Sequence, residues 1–364
     1  MSRAALALAA LALAAPLGCC ACGSPTFAVR RGAALDPTPA PQVAEPRLRV
    51  LHLGDFGDPT CQQAQVAEGL AAAHRRARFE LAFFAGDNIY ECGPDPAVAG
   101  AEGCRFAPDD NTVAPGFTPP DDPLFARHEA ALAPLRGLPI YLALGNHDVW
   151  SCRDSDPGGD LARRQACLEV AHASPAWSMP ARHYVVDRGP ARFIVVDTNL
   201  VAHDGYGGFR LDDEVAFVAE AARGCGQGRT CFLVGHHPPA TAGDHRDQVG
   251  TAAYQAAMDR LLAAGAGRVA AFLAGHDHDL QHLRMAGGLD VLISGNGSRG
   301  RPLERFGEVA GAGATQLYGS TQWGHGVIEV GASGWSYRFE SPAGAPLYCC
   351  AAAGAGRCEP TACK

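Results

Sequence analysis

The chain has no apolar run of the roughly 20 residues that a membrane-crossing helix takes. It lacks any Lys/Arg block, and its formal net charge is -8, so the clustered basic face that nucleic-acid binding needs is missing. No repeat of roughly 20 to 50 residues is present, which excludes solenoids and propellers. Charged residues make up only 19% of the 364, against 47% hydrophobic, a balance that buries a large core and excludes disorder.

What is present begins with a leader. Arg3 supplies a short positive segment and Ala4–Leu17 an apolar run, so residues 1–22 read as a signal peptide. Gly18-Cys19-Cys20-Ala21-Cys22 resembles a bacterial lipoprotein processing site, which implies either a lipid anchor at Cys19 or Cys20 or plain secretion. Residues 23–47 carry five prolines and read as a linker. The chain has fourteen cysteines; three lie in the leader, and the remaining eleven point to disulfides in an oxidising compartment. Local staples are expected at Cys225–Cys231, Cys92–Cys104 and Cys152–Cys167. Cys349, Cys350, Cys358 and Cys363 allow three connectivities, and without a Cys-x-x-Cys knuckle they read as disulfides and not zinc ligands. Cys61 is the odd thiol, free or paired outside the chain.

From residue 48 onward, short aliphatic runs alternate with alanine-rich helical stretches. The spacing predicts strands over 48–53, 79–85, 139–144, 192–197, 230–234, 268–274 and 289–294. It predicts helices over 62–76, 212–223 and 251–264, and a closing hairpin of 327–330 and 335–339. This is one α/β domain over 48–340, followed by a Cys-rich tail over 341–364.

Polar residues gather where those strands end. The blocks are Gly54-Asp55-Phe56-Gly57-Asp58, Gly86-Asp87-Asn88-Ile89-Tyr90, Gly145-Asn146-His147-Asp148, Gly235-His236-His237 and Gly275-His276-Asp277-His278. In open α/β sheets, loops at the carboxyl ends of strands converge on one crevice, so five such blocks predict one site. Carboxylate, phenolate, amide oxygen and imidazole, with no thiolate, suit a hard trivalent ion beside a borderline divalent one. Two ions roughly 3.5 to 4 Å apart would activate water and neutralise a transferred phosphoryl group, with Asp87 as the natural bridge.

With these blocks in order, residues 48–340 resemble the calcineurin-like metallophosphoesterases, and among them the small purple (tartrate-resistant) acid phosphatases. Most of that superfamily places a ligand His two residues after the first Asp, where this chain has Gly57; the purple branch uses a Tyr three residues after the bridging Asp, where this chain has Tyr90. The resemblance implies a four-layer αββα fold, a two-sheet β-sandwich flanked by helices. It implies that Asp55, Asp87, Tyr90 and His278 hold Fe(III), and that Asp87, Asn146, His236 and His276 hold a divalent Fe, Zn or Mn. His147 would be the general acid or phosphate clamp, and His245 a second substrate histidine. His237 stands where an aromatic is common, and Val201–Gly208 is shorter than the regulatory loop of mammalian relatives.

The expected reaction is hydrolysis of small phosphate monoesters by a metal-activated hydroxide, in a monomeric, extracytoplasmic enzyme without nucleic-acid partners. A phosphodiesterase or nucleotide hydrolase on the same site is the alternative. A surface binding protein that kept the fold would have lost ligands, and none is lost here. Ser298 and Arg299 are candidate phosphate-side contacts; His325 and Trp323 either line the cleft or pack. His52, His74, His128, His172, His183, His203 and His282 read as ordinary packed or surface histidines.

Overall fold

A computed structural model describes residues 29–31, 47–149, 159–226, 228–301 and 307–363. The leader, most of the linker, and Cys152 lie outside the described residues.

Two sheets form. The first has nine strands, in spatial order Glu359–Pro360, Pro346–Ala353, Gly334–Glu340, His325–Gly331, Leu48–Leu53, Leu81–Phe84, Ile140–Leu142, Trp177–Ser178 and Ala173–Ser174. The second has eight, in order Val29–Arg31, Thr315–Ser320, Leu280–Arg284, Asp290–Ser294, Val269–Ala274, Thr230–Val234, Ala191–Val195 and Tyr184–Arg188. Leu48–Leu53, Leu81–Phe84 and Ile140–Leu142 run parallel, as do Ala191–Val195, Thr230–Val234, Val269–Ala274 and Asp290–Ser294. These strands read as unbroken apolar runs because both faces are covered. The sheets pack face to face through large side chains: Phe83 meets Phe193 at 4.4 Å between ring centroids, and Trp335 meets Phe232 at 5.3 Å. Helices complete the layers, so the predicted two-sheet, helix-flanked architecture is the one observed.

The helices start at capping residues. Thr60 accepts from the Gln63 N–H at 3.1 Å ahead of Cys61–Arg76, Asp122 caps Pro123–Ala131 with proline in the first turn, and Thr251 caps Ala252–Ala264. Among the described residues, no helix is long and apolar enough to cross a membrane.

Four disulfides join described cysteines. Cys225–Cys231 forms as expected, and the tail closes as Cys349–Cys363 and Cys350–Cys358. The expected Cys92–Cys104 and Cys152–Cys167 pairs are both overturned, because Cys104 bonds Cys167, 63 residues away. The folded chain brings the Ala101–Gly103 turn against Asp160–Ala171, a proximity that local spacing does not report. Cys61 is disulfide-bonded too, which corrects its reading as a free thiol.

Candidate metal centre

The five polar blocks meet at the carboxyl ends of the parallel strands, where backbone hydrogen bonds tie neighbouring loops within each sheet and one sheet to the other. Gly54 N–H donates to Ser294 O at 2.7 Å, Asp55 N–H to Gly86 O at 2.9 Å, and Gly275 N–H to His236 O at 3.1 Å. The approach is close enough that a Cβ on Gly145 would lie 2.3 Å from Asp87 Oδ1. Asp55, Asp87 and His276 take left-handed φ values of 58°, 56° and 72°. Such backbone is unfavourable for residues with a Cβ and persists where function requires a side chain aimed off the strand end.

Two groups of ligand atoms result. In the first, the Tyr90 hydroxyl lies 2.7 Å from Asp87 Oδ2, 3.1 Å from Asp55 Oδ1 and 3.2 Å from His278 Nε2. In the second, His236 Nε2 lies 3.0 Å from Asn146 Oδ1, 3.1 Å from His276 Nδ1 and 3.3 Å from Asp87 Oδ1. All seven predicted ligands are thus brought together, with one oxygen of Asp87 in each group. Gly57 has no room for a side chain, since a Cβ there would sit 2.4 Å from the Asn88 carbonyl.

The donor chemistry fits cations. His236 Nδ1 donates to Ala85 O at 2.8 Å, and His276 Nε2 donates to Gln248 Oε1 at 2.9 Å. Both rings therefore turn their other nitrogen toward each other and toward two oxygens, so that four ligand atoms face one point. In the first group the Tyr90 hydroxyl faces two carboxylate oxygens and one ring nitrogen. Asp55 is pushed up to about 8 by burial, with the neighbouring Asp87 adding to the rise. Burial would raise Asp87 as well, but His236, His147 and the Tyr90 hydroxyl hold it below the usual carboxylate range. Tyr90 is raised well above the ordinary phenol value by burial and then by the charges of Asp87 and Asp55, so only a strongly polarising cation would draw off its proton. Burial holds His278, at about 3, and His276 in the neutral, ligating form.

His147 and His245 border these groups. The His147 backbone N–H donates to Asp87 Oδ1 at 2.9 Å, and its Nδ1 donates to Glu91 O at 2.7 Å. His245 stacks on His276 at 3.8 Å, with Nδ1 3.0 Å from Asp277 Oδ1. Burial opposes its charge, but the Asp277 bond and charge prevail and raise its pKa above the ordinary histidine value.

Sequence reasoning missed the supports. Asp148, fully buried, accepts from the backbone N–H groups of Asp87, Asn88, Ile89 and Gly145 at 2.7 to 3.0 Å and so locks the second loop to the third. Its place right after His147 was the available signal. Asp277 and Gln248 orient His245 and His276, and Thr198 Oγ1 accepts from the His236 N–H at 3.1 Å. His237, read only as a pocket-shaping departure, brings a ring nitrogen into the His236–His276 group. Ser298 is committed to backbone, donating to Asp55 O and accepting Thr60 Oγ1 through its carbonyl. His325 is buried against Phe79 and Glu340.

The sequence model of the calcineurin-like phosphoesterases matches residues 48–280. Tartrate-resistant acid phosphatase type 5 of Rattus norvegicus is 25% identical over 239 residues, 59% of this chain and 66% of that protein. This chain therefore spans just under two thirds of that relative's length. Two solved structures share the fold. Purple acid phosphatase PPD1 from yellow lupin (Lupinus luteus) seeds superposes with TM-score 0.55 at 14% identity, over 84% of this chain and 53% of that one. GAP50, the anchor in the inner membrane complex of Plasmodium, superposes with TM-score 0.59 at 18% identity, over 84% and 88%.

Proposed function

Because the chain belongs to the calcineurin-like phosphoesterase family, we propose that it is an exported acid phosphatase of the purple type, hydrolysing phosphate monoesters with Fe(III) and a divalent partner. One observation carries the reading: the Tyr90 hydroxyl lies within the Asp55–Asp87–His278 group while Gly57 leaves no space for the alternative imidazole. Asp55, Asp87, Tyr90 and His278 would hold the iron; Asp87, Asn146, His236 and His276 would hold the divalent ion. When bound, such a pair supplies Lewis-acid activation of water and neutralises charge on the phosphoryl group.

The chain's own residues supply proton and anchor. With Nδ1 committed to Glu91 O, His147 presents Nε2, the atom that would pass a proton to the leaving alkoxide. His245, held in place by Asp277 at the rim of the second group, would donate to a phosphate oxygen. Export is supported by the leader and by four disulfides among the described residues, which persist in oxidising compartments.

The test is a panel of monoesters and diesters assayed in acid, for wild type and His147→Ala. Monoesters should be preferred; a preference for diesters would overturn the substrate class. His147→Ala should lower kcat by about 10²- to 10⁴-fold with metal content unchanged. Unchanged turnover would refute the proton-donor role, and metal loss in step with rate would make His147 structural.

A further inference from the structure

Arg299 stands outside both ligand groups, yet its guanidinium carbon lies 4.2 Å from the centroid of the Tyr90 ring. It is tethered at both ends of its fork. Nε donates to Asp58 Oδ2 at 2.7 Å, and Nη2 donates to Glu91 Oε1. Asp58 lies three residues beyond Asp55 and Glu91 directly follows Tyr90, so one side chain joins the first two ligand loops. The loop that carries it is itself fixed, by Gly297 N–H donating to Gly54 O at 3.2 Å and by Ser298 on Asp55 O. His147 packs on the same phenol ring at 4.3 Å between centroids.

Two of its three guanidinium nitrogens, Nε and Nη2, are engaged by carboxylates, so the side chain is committed to the two ligand loops. Its guanidinium carbon lies over the one phenol among the seven ligands. A cation over an aromatic face lowers the energy of the ring's electrons, most of all when the ring carries negative charge. We propose that Arg299 is a positioning residue for Tyr90: it fixes the ring between the Asp58 and Glu91 loops and, by its charge, sets the energy of the tyrosinate electrons donated to iron. This rests on the reading of Tyr90 as an Fe(III) ligand.

The consequence is spectroscopic. Removing the cation raises the donor level, so less energy moves an electron from tyrosinate to Fe(III). The two carboxylates left behind act in the same direction.

The experiment compares visible spectra and iron content of oxidised wild type, Tyr90→Phe, Arg299→Ala and Arg299→Lys, with circular dichroism to establish folding. Wild type should show a visible band that Tyr90→Phe abolishes. Arg299→Ala should keep its iron and move the band to longer wavelength by roughly 10 to 20 nm, the scale of a cation–π attraction. Arg299→Lys, which keeps the charge, should return most of that shift. A band unmoved in an iron-loaded Arg299→Ala, or moved equally in Arg299→Lys, overturns the charge effect while leaving Tyr90 as a ligand. If wild type has no band, or Tyr90→Phe keeps it, the ligand reading fails and this inference with it.

Discussion

Asp87→Asn should abolish turnover and strip metal from the protein without unfolding it. Asp87 is the only residue with an oxygen in each ligand group: Oδ2 meets the Tyr90 hydroxyl at 2.7 Å and Oδ1 faces His236 Nε2 at 3.3 Å. Asparagine keeps one of those oxygens and replaces the other with an amide nitrogen, which has no lone pair to offer. One group therefore receives a donor where it needs an acceptor. Loss of a single oxyanion donor costs 10²- to 10³-fold in other hydrolases, so the loss of a shared ligand should reach about 10³-fold or more in kcat. The metal-free fold should not suffer, because the substitution removes a charge beside the buried Asp55. Elemental analysis and thermal melts of the variant check both halves. A variant that retains two metals and a wild-type rate would show that Asp87 does not bridge.

Arg182→Met should have the largest effect on stability. The Arg182 side chain is 1% exposed, and its Nη1 donates at 3.0 Å to both Asp197 Oδ2 and Glu214 Oε2, which are themselves fully buried. Around this core, His183 Nδ1 lies 2.9 Å from Glu214 Oε2, and the Tyr206 hydroxyl donates to Asp197. Removing the only guanidinium leaves two carboxylates in a dry interior, a change that typically costs 3 to 5 kcal/mol and should lower Tm by roughly 5 to 15 °C. The damage should also reach the metal centre, since Asn199 Nδ2 bonds both Asp197 Oδ1 and Gly145 O, next to Asn146. Adding Asp197→Asn and Glu214→Gln to Arg182→Met removes the stranded charges and should recover part of the lost Tm. If the single variant melts like wild type, or the triple variant melts no higher than the single one, the cluster is not the anchor described.

The site was legible in the sequence to a degree that its surroundings were not, for a physical reason. A ligand must project from a strand end, so Asp55, Asp87, Asn146, His236 and His276 each directly follow a glycine and His278 lies three residues beyond one, in a local pattern that survives without structure. Tyr90 was legible through the absence at Gly57. The supports obey no local pattern. Arg182 and Asp197 are separated by the hairpin of Tyr184–Arg188 and Ala191–Val195, Asp197 and Glu214 by a short helix and loops, and Cys104 meets Cys167 across 63 residues. Strand Leu280–Arg284 was missed because Gln281 and His282 look exposed in sequence. Both are fully buried; Gln281 is satisfied by Thr241 at 3.0 Å, which only the fold brings near, and His282 by Asp290 at 3.0 Å on the neighbouring strand. Pro346–Ala353, read as part of a tail, pairs with Gly334–Glu340 and carries two of the disulfides' cysteines, Cys349 and Cys350.

The central claim is a dinuclear, iron-containing centre built on the Asp87 bridge, and elemental analysis of the purified, active protein tests it most directly. The account predicts two metals per chain, at least one of them iron. One metal per chain, or none, in protein that still hydrolyses phosphate esters would contradict it.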